Sequence, residues 1–283
     1  MPRRLQDAVA VITGASSGIG EATALAMADR RARLVLAARD PSALDRVAEA
    51  CASRGAETLA VPTDVADPEA VDALAERAAE RFGSIDVWVN NAGVILYGRV
   101  EETPPEAFRR VIETNFLGQV HGARAAVRHF RRQASGVLIN MSSVWARVSS
   151  PHVSAYVASK HAVRAFSACL REELRGLKDV HVVTVLPQAV DTPMFRHAGN
   201  FTRRKVRCLP LARPAEDIAK RIVWCAEDPK REVTERRFGR LLELAQSAAP
   251  PLFEAIAPRL FPRLAYSNER AEETTGNLFE PLH

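Results

Sequence analysis

Tyr156 and Lys160 are the residues whose types and spacing could do chemistry. They close the stretch at 140–160, NMSSVWARVSSPHVSAYVASK, and from Tyr156 onward AYVASKHAVRAFSACLREEL carries a helical pattern. The two side chains therefore fall one turn apart on one face. A free tyrosine, with a pKa of about 10, neither gives nor takes a proton readily at neutral pH. A fixed ammonium beside it favours the phenolate and lowers that pKa. Ser143 is the hydroxyl best placed ahead of the helix to bind the same substrate oxygen and orient it for proton transfer. Such a site interconverts C=O and CH–OH. The plainer reading of the pair is a half-buried ring with its lysine in water. The chemical reading gains weight only if the chain also builds a place for a hydride donor.

That place is expected at the N-terminus. Residues 8–12, AVAVI, form a short continuous apolar run of the kind buried on both faces of a parallel sheet. The turn Gly14-Ala15-Ser16-Ser17-Gly18-Ile19-Gly20 follows, then a helical EATALAMADR. Glycines there let backbone approach a pyrophosphate, and the N–H groups of the helix start bind its charge. The spacing is GxxxGxG rather than the GxGxxG of the dinucleotide fingerprint.

The second strand, residues 34–38, runs into Arg39-Asp40. An acidic residue at this strand end would bind the ribose of NAD, whereas an arginine can pair with the extra phosphate of NADP, so Arg39 favours NADP(H) with NAD(H) as the alternative. Asp40-Pro41 also has the form of a helix cap.

Alternation continues with a strand at 58–61, a helix from Asp67-Pro68 to about Phe82 stopped by Gly83, and a strand at 85–89. Asp64 and Val65 lie just past a strand end, where Asp64 could meet an adenine amino group or serve simply as a turn residue. Asn91-Ala92-Gly93 would leave room for adenosine, or be a plain turn.

With TGASSGIG, NNAG and YxxxK in that order, the chain resembles the short-chain dehydrogenase/reductase family over roughly residues 8–228. The resemblance implies an α/β, Rossmann-type doubly wound fold with a mostly seven-stranded parallel sheet and helices on both faces. It implies hydride transfer between a nicotinamide and a carbonyl or alcohol, with Ser143 binding the carbonyl and Tyr156 as general acid/base. Lys160 then lowers the tyrosine pKa and holds the nicotinamide ribose, and Asn115, in ETNFLG, holds a water in a proton relay. Ser142 is the fallback for the serine role. Pro187, Val190 and Thr192 match the PGxxxT segment that binds the carboxamide, although Gln188 stands in place of its glycine. A homodimer or homotetramer is implied as well.

Composition bounds the remaining classes. The 283 residues are 47% hydrophobic and 26% charged, ordinary for one large α/β domain. A net charge of +5 and a pI near 9.3 come from scattered basic residues with no nucleic-acid motif, so an anionic small ligand is expected, not nucleic acid. Cys51, Cys169, Cys208 and Cys225 form no CxxC pair, which argues against zinc or a disulfide framework and fits a cytoplasmic protein. No apolar run has the length of a signal peptide core or a transmembrane helix.

The expected organisation is one catalytic domain over residues 1–240, including a substrate lid at 194–213, followed by an extension at 241–283. That extension carries Pro250, Pro251, Pro258 and Pro262 among apolar pairs such as Leu252-Phe253, Leu260-Phe261 and Leu278-Phe279. It is expected to pack on the domain, on a neighbouring subunit or over the substrate mouth, with a peripheral membrane contact as a lesser alternative. A chain that keeps the fold but only senses NADP, without turnover, is the competing function; its four retained catalytic residues argue against that.

Overall fold

The computed structural model describes residues 4–209, 212–234 and 238–282. Residues 210 and 211 of the expected lid, and His283, lie outside the described residues.

Seven strands form one parallel sheet. They are β1 (Val9–Thr13), β2 (Arg33–Ala38), β3 (Thr58–Pro62), β4 (Val87–Asn90), β5 (Ser135–Met141), β6 (Asp179–Leu186) and β7 (Glu232–Thr234). Their order across the sheet is β3-β2-β1-β4-β5-β6-β7. The order turns back between β1 and β4, and in an open α/β sheet that is where a crevice opens beyond the strand ends.

Helices α1 (Gly18–Ala28), α2 (Pro41–Ala52) and α3 (Pro68–Phe82) join the first strands. After β4 come α4 (Pro105–Ile112), a π-helical turn at Glu113–Leu117, and α5 (Gly118–Gln133); α6 (Ser154–Glu173) and α7 (Ala215–Glu227) follow. One core packs residues of α1, α2 and α7 on a face of the sheet, with Met27, Leu44 and Ile222 fully buried. The other packs α3, α5 and the end of α6 around Trp88, Leu74 and Phe130. Burial on both faces explains why the strands read as unbroken apolar runs.

Local chemistry sets the helix starts. The Asp40 carboxylate accepts from the Ala43 N–H and that of Asp67 accepts from the N–H groups of Glu69 and Ala70, each with proline as the next residue. Gly83 ends α3 in the left-handed region, at φ 80°.

A buried polar chain fixes α6 against the sheet. Trp88 Nε1 donates to Asn90 Oδ1, Asn90 donates to Asn140 on the adjacent strand, and Asn140 donates to Ser167 of α6. Such a satisfied network specifies one placement of the helix.

The C-terminal extension forms α8 (Phe238–Ala248), α9 (Pro250–Ala265) and a strand at Tyr266–Arg270 that pairs antiparallel with Arg204–Val206 of the lid region. Pro258 and Pro262 lie inside α9 rather than interrupting it. Phe261 and Ala265, both buried against the body, hold the helix through the turns where proline removes a backbone donor. Among the described residues no helix is long and apolar enough to cross a membrane.

Candidate active site

The turn after β1 is built so that it accepts nothing larger than glycine at its key positions. Gly14 has φ 64°, and a Cβ there would lie 2.7 Å from the Ala92 Cα; a Cβ on Gly20 would lie 2.0 Å from the Gly14 carbonyl oxygen. The turn and the loop after β4 are therefore in backbone contact. Thr13 ties them: its hydroxyl accepts from the N–H groups of Asn91 and Ala92, while the Asn91 amide donates to the Thr13 and Gly14 carbonyls.

A cleft of about 580 Å³ opens over this seam. Of the expected cofactor residues, Gly14, Ser16, Ser17, Gly18, Ile19, Arg39, Asp64, Val65, Asn91, Ala92, Gly93 and Thr192 line it; Gly20 lies behind the turn, and Pro187 and Val190 stand back from the wall. The N-terminus of α1 opens there with the Ser17 side chain uncommitted to capping, so backbone N–H groups face a place for a diphosphate. The residues present thus fit a nicotinamide dinucleotide. Gln188 does not take a left-handed conformation, so losing the family glycine costs the loop nothing there. Its amide nitrogen is buried without a partner among the described residues.

The four expected catalytic residues come together behind Gly93, beside the cleft, and none of them, Tyr156 and Lys160 included, is on its wall. A Cβ placed on Gly93 would lie 3.3 Å from Asn115 Oδ1 and 3.7 Å from Lys160 Nζ. Lys160 Nζ donates to the Met141 carbonyl at 2.9 Å and lies 5.4 Å from the Tyr156 ring centroid. The Ser143 side chain favours the phenolate form of Tyr156, and its hydroxyl accepts from the Trp145 N–H. Ser142 instead donates to the Lys160 carbonyl, which ties it to α6. Asn115 pairs its amide with both backbone groups of Val94 and also donates to Ser159. The π-helical turn places it there, and such turns recur at functional sites.

The electrostatics differ from the expectation of a lowered tyrosine pKa. Burial pushes the Tyr156 phenol up to about 12, with Ser143 only partly opposing it, and burial pushes the Lys160 ammonium down to about 8. Taking each group out of water is the largest cause of its shift. Asp64 also differs from a free adenine acceptor. Its carboxylate pairs with Arg110 and accepts from the Ala66 N–H. Burial alone would raise its pKa, but these bonds hold it below the usual range.

Most basic residues of the segment expected as a lid are engaged within the protein. Arg203 pairs with Glu273, Lys205 with Glu269, and Arg207 donates to carbonyls of α9. Phe261 of α9 stands 5.9 Å from the Trp145 ring, which itself meets Tyr156 edge-on at 5.6 Å. The extension thus covers the approach to Tyr156. Sequence reasoning did not find Arg110, nor Asn277, Pro281 and Leu282 on the cleft wall. Their parts depend on contacts across most of the chain, which no local pattern signals.

Comparisons with known proteins agree with this geometry. Residues 8–202 match the short chain dehydrogenase family. The Bacillus subtilis oxidoreductase YxnA, itself uncharacterized, is 34% identical over 277 residues, covering 97% of this chain and 77% of its own. An alcohol dehydrogenase from the archaeon Thermococcus sibiricus, solved with 5-hydroxy-NADP, superposes with a TM-score of 0.71 at 32% identity, covering 81% of this chain and 96% of that one. A short chain dehydrogenase/reductase from Burkholderia phymatum, solved with NAD, gives 0.79 at 27% identity, covering 88% and 96%. With the parallel sheet, the glycine seam and the Tyr156–Lys160 pair all in place, the chain belongs to the short chain dehydrogenase family of oxidoreductases.

Proposed function

We propose that this chain is an NADP(H)-dependent oxidoreductase that interconverts a carbonyl and an alcohol, with Tyr156 as general acid/base. The observation that carries the reading is the grouping of Ser143, Tyr156 and Lys160, with Lys160 Nζ 5.4 Å from the Tyr156 ring centroid, next to a glycine-walled cleft. A nicotinamide dinucleotide bound there would supply or accept the hydride.

The chain's own residues do the rest. Ser143 would hold the substrate oxygen, and the phenol of Tyr156, protonated at neutral pH, is ready to donate to it during reduction. Lys160, within the same buried cluster, carries positive charge that would steady the phenolate once that proton has left. Asn115 keeps the Val94 loop in place beside Lys160. Arg39 at the end of β2 supports the choice of the phosphorylated dinucleotide, and homologous structures hold dinucleotides of both kinds. Trp145, Tyr97, Phe261 and Tyr266 pack in one cluster with Tyr156, and these aromatic surroundings favour an apolar or ring-bearing substrate. We also propose a homodimer or homotetramer as the working form.

Purified protein with NADPH should show carbonyl-dependent loss of nicotinamide absorbance on a panel of apolar ketones and aldehydes. Tyr156→Phe should remove at least about a hundredfold of that rate, the usual worth of a positioned acid, while leaving NADPH affinity within a few fold. Full turnover by the variant would exclude Tyr156 as the acid.

A further inference from the structure

The guanidinium of Arg39 is held by the far end of the chain. Nη1 donates to the carbonyls of Leu278 (3.0 Å) and Phe279 (2.9 Å), and Nη2 donates to that of Asn277 (2.5 Å). Arginine has five N–H donors in a planar fork. Three are engaged by the tail, which leaves Nε–H and one Nη2–H without a partner among the described residues.

The tail is anchored independently of Arg39. Leu278 is 0% exposed in a cluster with Val111 and Phe201, and its carbonyl also accepts from Arg110 Nε, whose other end pairs with Asp64. Nor does the tail plug the crevice. Asn277, Pro281 and Leu282 line a cleft that stays open above the glycine turn, and Arg39, Ser42 and Arg46 line it as well.

We infer that the tail backbone from Asn277 to Phe279 is a positioning element for Arg39, aiming its remaining N–H edge at the 2′-phosphate of NADP, so that cofactor preference is set jointly by Arg39 and by this distant segment. This rests on the proposed use of NADP(H). The physical argument is one of preorganisation. A free arginine on a strand end must lose side-chain entropy to make a two-pronged phosphate contact, whereas one already fixed by three carbonyls has lost it on folding. Carbonyl oxygens also satisfy the inner donors without neutralising the charge, as a carboxylate would.

The test is calorimetric titration of the full chain, of a chain ending at Gly276, and of Leu278→Ala with 2′,5′-ADP and with 5′-AMP, whose only difference is the 2′-phosphate in question. The full chain should bind 2′,5′-ADP more tightly, and Arg39→Ala should abolish the difference. Both tail variants should cut the ratio of the two affinities by about tenfold, one charge-assisted contact, with 5′-AMP affinity changing little. Loss of affinity for both nucleotides together would make the tail a wall only and overturn the inference, as would an unchanged ratio or tighter 2′,5′-ADP binding on truncation. Leu278→Ala, with its melting temperature recorded, decides the matter if truncation prevents folding. If Arg39→Ala itself leaves the ratio intact, the NADP(H) reading fails instead.

Discussion

At the residue scale, the candidate catalytic cluster is defined by two titrations that burial has moved apart. Tyr156 is raised to about 12 and Lys160 lowered to about 8, so in the cofactor-free protein the phenol keeps its proton across the neutral range while the ammonium loses its own above about pH 8. The sign for catalysis follows. Reduction needs the phenol protonated, which holds well beyond pH 8, and needs the lysine charged to receive the phenolate, which does not. Carbonyl reduction, followed as kcat/KM, is expected to fall with loss of one proton centred near pH 8, since that parameter reports the free enzyme. A profile flat from pH 7 to 10 would separate Lys160 from the proton step. The identities and spacing of Ser143, Tyr156 and Lys160 were legible in the sequence. The direction of the tyrosine shift was not, because spacing reports which groups meet but not how much water they lose.

At the element scale, the loop that follows Ser143 is braced by the C-terminal extension. The Arg147 side chain, 5% exposed, pairs with Glu232 of β7 and Glu243 of α8, and Arg164 of α6 reaches the same two carboxylates. Gln246 of α8 adds hydrogen bonds to both the backbone and hydroxyl of Ser149. Arg147→Ala leaves the two carboxylates with Arg164 alone and should cost about 2 kcal/mol of unfolding free energy, toward the lower end for breaking a buried pair because Arg164 remains. Denaturant melts would measure it, and since Arg147 sits four residues after Ser143, kcat should fall more than NADPH affinity. An unchanged midpoint would mean that α8 is not held through this network. The Asp-Pro helix starts were readable because capping is local chemistry. Helix α9 was not, since two prolines argue against a helix and only the burial of Phe261 and Ala265 overrides them.

At the scale of the whole molecule, the doubly wound architecture was legible from the alternation of apolar strands and helices. The path of the tail back to β2 was not, as nothing near residues 277–279 announces Arg39. The two-layer core makes a further expectation about the thiols. Cys51 and Cys225 are buried in the same face of the core, and burial raises their pKa values to about 11 and about 12, while Cys169 is exposed and Cys208 partly so. A thiol reagent at neutral pH should label Cys169 first, Cys208 more slowly because burial raises its pKa as well, and the other two only on global unfolding. Fast labelling of all four in native buffer would contradict this packing.

The π-helical turn at Glu113–Leu117 is one residue wider than the α-helices it joins. A single-codon deletion within ETNFL would therefore mend the helix while rotating Asn115 off its pairing with Val94. Such a shortened protein should be no less helical and yet inactive, an unusual case in which removing an irregularity is the lesion.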